Sequence, residues 1–194
     1  MIYLIDESLT ENSHSKYILD IIKNHTDTEV KIIELPSNPT VGQINNIIYN
    51  LFDKVFPWDI VLCPWAIDGN YTVDQLFEDL TKLCWVVVAA GNYNRSIHEF
   101  SPARAKNVIT VACLNKSGIK ATLSNYSKDK ELVWVPGTNY NLGWKNSSGT
   151  SVSAAVYAAF LAESIKYKDP NLLNELLLQH KIKVLDELHK KTNT

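Results

Sequence analysis

With 194 residues, 45% of them hydrophobic, the chain is long enough to bury the core of one α/β domain and short for two. It carries 19 basic and 21 acidic residues, a formal charge of −2, and no basic run supplies the phosphate-neutralising charge that nucleic-acid binding needs. No apolar stretch reaches the roughly 20 residues of a membrane span, and the opening MIYLIDES lacks the basic start of a secretory signal.

The apolar run Ile2-Tyr3-Leu4-Ile5 ends at Asp6 and predicts a first strand. Tyr17, Ile18, Ile21 and Ile22 recur at helical spacing, which predicts a helix over 14–23. A strand at 29–35, a helix over about 42–55 and an apolar strand at 59–63 follow. Residues 72–83 read as a helix, with Thr72 and Asp74 suited to its N-cap or first turn. The run 85–89 has the continuous apolar character of a central parallel strand, and another strand follows at 108–113. Between 115 and 144, Gly, Asn and Ser break the pattern into short pieces, which predicts hairpin-like strands. An alanine-rich helix over 149–166 and a last, outer helix over 172–189 complete the chain. This alternation predicts one domain over 1–194, a three-layer α/β/α sandwich with a mainly parallel central sheet.

Cys63, Cys84 and Cys113 lie in or beside apolar runs without CxxC spacing, so they are expected to be buried, reduced thiols, which fits a cytoplasmic setting. No aspartate cluster has calcium-ligand spacing, and neither a metal nor another cofactor is expected. His25, His98, His180 and His189 are expected on polar surface. Trp58, Trp85, Trp134 and Trp144 are expected in the core or at its rim.

Ligands of parallel sheets bind beyond the carboxyl ends of the strands. Three short segments fall there. Gly149-Thr150-Ser151 opens a helix, where a serine serves as a cap or as a nucleophile favoured by the helix dipole and free N–H groups. Val88-Ala89-Ala90-Gly91-Asn92 runs a strand into a turn; alternatively, Gly91 admits a substrate backbone and the Asn92 amide donates to an oxyanion. Asp6 ends the first strand, and His14 follows eight residues later. A carboxylate so placed fixes the tautomer of an imidazole.

Together these residues follow the order Asp, His, Ser of subtilisin, with Gly-Asn between the last two. Longer segments carry the same likeness. NSHSKYILDII resembles the histidine helix of the subtilisin-like serine peptidases, and WVVVAAGN their oxyanion strand. SPARAKNVITVACLNKSGIKATLSNYS resembles their proline turn, strand and serine-rich hairpin. VWVPG and GTSVSAA resemble the strand end and the nucleophile motif that follow. The resemblance is loose from Asp6 to about Ala162 and firm from Val86 to Ala159.

The resemblance implies a subtilisin-like fold and a serine endopeptidase that cleaves a peptide bond through an acyl-enzyme. Ser151 would be the nucleophile, His14 the general base and then acid, Asp6 the orienting carboxylate, and Asn92 the oxyanion donor. Trp65 and Ala66 would lie on the substrate strand, Gly91 beside the substrate backbone, and Glu99 at the floor of a specificity pocket. The implied partner is a peptide or protein substrate, with no nucleic acid or membrane; a partner chain that completes the cleft stays open. Processing of a specific precursor peptide and transpeptidation are two forms of the activity. The chain departs from the family at Glu7-Ser8 after Asp6, at Ser15 after His14, at Ala155 where proline is usual, and at Cys63-Pro64-Trp65-Ala66-Ile67 on the substrate strand. These departures support the rival reading of a non-catalytic module that binds a peptide or partner protein.

Overall fold

The computed structural model describes residues 1–166. Strand β1 (Ile2–Asp6) is buried at every position, as an apolar run must be when both faces of its sheet are covered. Helix α1 (His14–Lys23) starts at Ser13, whose hydroxyl accepts the Lys16 N–H at 3.1 Å. Strand β2 (Val30–Glu34) leads to helix α2 (Val41–Tyr49), which opens with a reciprocal Thr40–Gln43 capping box. This helix stops earlier than its predicted end near 55. The Leu51 and Phe52 N–H groups bond three residues back, to Ile48 and Tyr49, and the tightened chain turns toward the next strand.

Strands β3 (Ile60–Cys63) and β4 (Ile67–Asp68) precede helix α3 (Tyr71–Leu80). Its cap is Asn70, whose side chain accepts from the Thr72 and Val73 N–H groups, so Thr72 lies inside the first turn. Asp74 also lies there. Strand β5 (Trp85–Ala89), a 3₁₀ turn (Ile97–Glu99) and strands β6 (Phe100–Ser101) and β7 (Ile109–Leu114) come next. They are followed by β8 (Val133–Pro136), β9 (Tyr140–Asn141), β10 (Asn146–Ser147) and helix α4 (Thr150–Lys166).

Six strands form one parallel sheet in the order β2-β1-β3-β5-β7-β8. The stretch 115–144 was expected to hold only hairpin-like strands, and here the structure differs. Val133–Pro136 extends the parallel sheet along β7, and only β9 and β10 make a hairpin. As an edge strand, β8 tolerates Pro136, which has no N–H to offer a further neighbour.

Helices α1 and α4 cover one face of the sheet, where Tyr17, Ile18 and Ile21 meet Val152, Ala155 and Ala158. The alanines of α4 let it approach both α1 and the strands closely. Helices α2 and α3 cover the other face through Ile44, Ile48, Val73 and Phe77. The result is the expected three-layer α/β/α arrangement. Cys63, Cys84 and Cys113 are buried and free, and burial pushes the Cys84 thiol up to about 12. Among the described residues, no helix is long and apolar enough to cross a membrane. The helix predicted over 172–189, with His180 and His189, lies outside the described residues.

Candidate active site

Strand β1 has β2 on one side and β3 on the other, and the chain leaves β1 and β2 over opposite faces of the sheet, through α1 and α2. A parallel sheet opens a crevice where its connections diverge in this way. At this point lies a cleft of about 380 Å³. Asp6, His14, Gly91, Asn92 and Thr150 all line it.

Asp6 is the last residue of β1 and is 5% exposed. Its Oδ1 accepts the Glu7 N–H at 2.9 Å, and its Oδ2 lies 2.7 Å from His14 Nδ1. An ionised carboxylate only accepts, so Nδ1 carries the shared proton. In the neutral ring Nε2 is then left as the basic nitrogen. His14 is the first residue of α1, so the short βα loop brings the imidazole back to the strand end that carries Asp6.

On the other side of the cleft, the loop after β5 meets the start of α4. Asn92 Oδ1 accepts from the Thr150 N–H at 2.9 Å and from the Thr150 hydroxyl at 3.0 Å. The backbone N–H identifies that end of the amide as the oxygen, which turns Nδ2 the other way. Gly149 shows where Nδ2 stands: a Cβ there would lie 3.1 Å from Asn92 Nδ2 and 3.5 Å from Ser151 Oγ. The amide of Asn92 and the Ser151 hydroxyl thus both lie within 3.5 Å of one point beside Gly149. Ser151 belongs to the first turn of α4, whose N–H groups lack intrahelical acceptors. A negative charge that develops beside Ser151 meets these donors and the positive end of the helix.

A second amide holds the loop after β5. Asn125, fully buried, donates from Nδ2 to Ala90 O at 2.8 Å and accepts on Oδ1 from the Tyr93 and Arg95 N–H groups at 3.0 Å each. Thr150 Oγ1 accepts the Gly91 N–H at 3.1 Å, so one threonine steadies both Gly91 and Asn92. Sequence reading missed Asn125 and Thr150 as site-forming residues. Asn125 sits 33 positions from Asn92 in a serine-rich stretch, and no local pattern marks it.

Trp65 and Ala66 line the cleft. The Trp65 indole donates to Ile5 O at 2.8 Å and meets Phe77 edge-on, which ties the segment after β3 to the end of β1. Ala66 faces the loop after β5, since a Cβ on Gly91 would stand 3.6 Å from the Ala66 methyl. Glu7, Pro36, Pro39 and Tyr93 also line the cleft, though the sequence reading did not name them as binding residues. Tyr93 stacks on Phe100 with ring centroids 5.0 Å apart.

Glu99 lies elsewhere. It is absent from the cleft lining, and its exposed carboxylate pairs with the Arg95 guanidinium. Ile97 takes the buried position of the 3₁₀ turn, which leaves Glu99 outside. Ser151 is likewise outside that lining and stands beside it in the first turn of α4. His98 Nε2 is 2.6 Å from Asp129 Oδ1 on the exposed side of the same turn, and His25 Nε2 is 2.7 Å from the Tyr140 hydroxyl. His14 alone among the described histidines lines the cleft.

The sequence model of the subtilase family matches residues 62–185. Subtilisin-like protease 2 of Pseudogymnoascus destructans is 37% identical over 107 residues, covering 50% of this chain and 26% of that protein. Alkaline protease 1 of Aspergillus flavus is 42% identical over 82 residues, covering 42% of this chain and 19% of that protein. The matched region thus spans about a quarter or less of these relatives. A cold-adapted subtilisin-like serine proteinase shares the fold at a TM-score of 0.74 and 16% identity, covering 91% of this chain and 80% of that one. A lanthipeptide protease does so at 0.69 and 14%, covering 84% and 72%. The match runs from the strand beside β1 through the helix that bears Ser151, and this chain belongs to the subtilase family.

Proposed function

We propose that this subtilase is a serine endopeptidase in which Ser151, His14 and Asp6 form the catalytic triad and Asn92 donates to the oxyanion. The observation that carries the reading is the 2.7 Å Asp6–His14 contact in the cleft that Asn92 and Thr150 also line. In this reaction Ser151 Oγ attacks the scissile carbonyl carbon while His14 Nε2 takes the hydroxyl proton. The oxyanion rests on Asn92 Nδ2 and the Ser151 N–H, and Asp6 stabilises the imidazolium. Collapse breaks the C–N bond, and His14 gives the proton to the departing amine. Water then enters and attacks the acyl carbon as His14 takes its proton; the C–Oγ bond breaks, His14 returns the proton to Ser151 Oγ, and the acid is released.

A peptide or protein is the substrate class. Among solved relatives of the fold, proteins named as a lanthipeptide protease and a prenylagaramide maturation protease suggest processing of a specific precursor peptide. Three buried free thiols favour a reducing, cytoplasmic setting.

Treatment with a fluorophosphonate, followed by peptide mapping, tests the reading. Modification of Ser151 alone, with turnover lost in Ser151→Ala, supports it. No modification, or modification at another serine, overturns it in favour of a peptide-binding module. Product masses from a peptide library then identify the bond that is cut.

A further inference from the structure

The loop between Asp6 and His14 has little packing of its own: residues 8–12 are all exposed, Leu9 included at 45%. Its ends, by contrast, are tightly bonded. The Glu7 carboxylate accepts the His14 N–H at 2.5 Å, and the Glu7 carbonyl accepts from the hydroxyl of the buried Ser15. Ser13 closes the loop from within, accepting the Thr10 N–H at 3.1 Å and donating to the Thr10 carbonyl at 2.9 Å.

Two consecutive carboxylates therefore hold one histidine at two points. Asp6 takes the ring N–H and Glu7 the backbone N–H. The His14 N–H is one of the helix-start donors that have no intrahelical partner, and the Ser13 hydroxyl is already occupied by the Lys16 and Thr10 N–H groups. A charged acceptor at this end of α1 also gains from the helix dipole. With the backbone of residue 14 pinned and its ring pinned, the imidazole has little freedom to turn away from the cleft.

We propose that Glu7 is a positioning residue, holding the first turn of α1 so that His14 presents its free ring nitrogen to the cleft. The Ser15 hydroxyl assists by fixing the Glu7 backbone. Both residues stand at positions where this chain departs from its family's pattern, and together they act as a clasp across the short βα loop. The proposal rests on the peptidase reading for its kinetic consequence, but its structural consequence is independent of it.

The test compares Glu7→Ala and Glu7→Gln in the full chain. Glutamine keeps an acceptor for the His14 N–H, whereas alanine removes it. Glu7→Ala should lower kcat by about 100-fold with KM nearly unchanged, the scale of loss that a displaced catalytic group brings. Glu7→Gln should restore most of that loss. The Nδ1 proton of His14, observed by NMR as a downfield resonance, should vanish in Glu7→Ala and persist in Glu7→Gln. A rise in KM with kcat retained would make Glu7 a substrate contact and overturn the proposal. Equal losses in the two variants, or an unchanged Nδ1 resonance in Glu7→Ala, would overturn it as well. If wild-type Ser151 resists the fluorophosphonate, the peptidase reading fails, and the NMR comparison still decides the clasp.

Discussion

The side-chain amide of Asn125 occupies the space that a side chain at position 91 would need: a methyl group there would stand 2.4 Å from Asn125 Nδ2. Gly91 also has φ +99°, a region L-residues rarely adopt. Asn125 has no room to withdraw, because its amide is bonded to Ala90, Tyr93 and Arg95. Gly91→Ala should therefore destabilise the protein by about 1–3 kcal/mol. Thermal unfolding measures this, and an unchanged midpoint would show that the loop shifts freely.

Asn92→Leu should reduce kcat by on the order of 10²–10³ with little change in KM, the loss typical of one oxyanion donor. Thr150→Val should reproduce a smaller part of that loss. The valine keeps the backbone N–H that Asn92 accepts but removes the hydroxyl that bonds both Asn92 and Gly91. Steady-state kinetics on one peptide decide the matter. A Thr150→Val effect confined to KM would place Thr150 against the substrate instead.

His14→Ala should abolish turnover, while His98→Ala should leave it unchanged. Each histidine faces a carboxylate, but His98 and Asp129 are exposed outside the cleft, whereas Asp6 is buried at its edge. Loss of activity in His98→Ala with intact His14 would reverse the assignment.

Lys130 gives a signed pH prediction. It bonds the carbonyls of Ala103 and Ala105, at 2.9 and 2.6 Å, and burial lowers its pKa from 10.5 to about 8. Between about pH 8 and 10.5 the unfolded chain holds more protons at this residue than the folded one does. This contribution therefore makes stability rise with pH across that window. Cys84, with its raised pKa, contributes in the opposite sense above pH 9. Subtracting denaturant unfolding curves of Lys130→Met from those of the wild type isolates the lysine. A difference that stays flat between pH 8 and 10.5 would contradict the shift.

Continuous apolar runs locate β1, β3, β5 and β7, helical spacing locates α1 and alanine richness α4, because burial in a layered parallel sheet requires such compositions. Asp6, His14, Asn92 and Ser151 stand out as candidates because they follow strands or start helices and match a family's motifs in order, and the cleft lining brings Asp6, His14 and Asn92 together. Strand β8 was misread because a four-residue edge strand is too short to show a period, and its parallel partner β7 lies across an intervening loop. Position in the loop after Asn92 does not say which side chain of the 3₁₀ turn is buried; Ile97 is, and Glu99 is exposed. The clasp of Glu7 and Ser15 on α1, the hold of Thr150 on Asn92, and the Asn125 amide under Gly91 were decided only by tertiary structure. Each is a directional hydrogen bond between groups brought together by the fold, and such bonds leave no periodic trace along the chain.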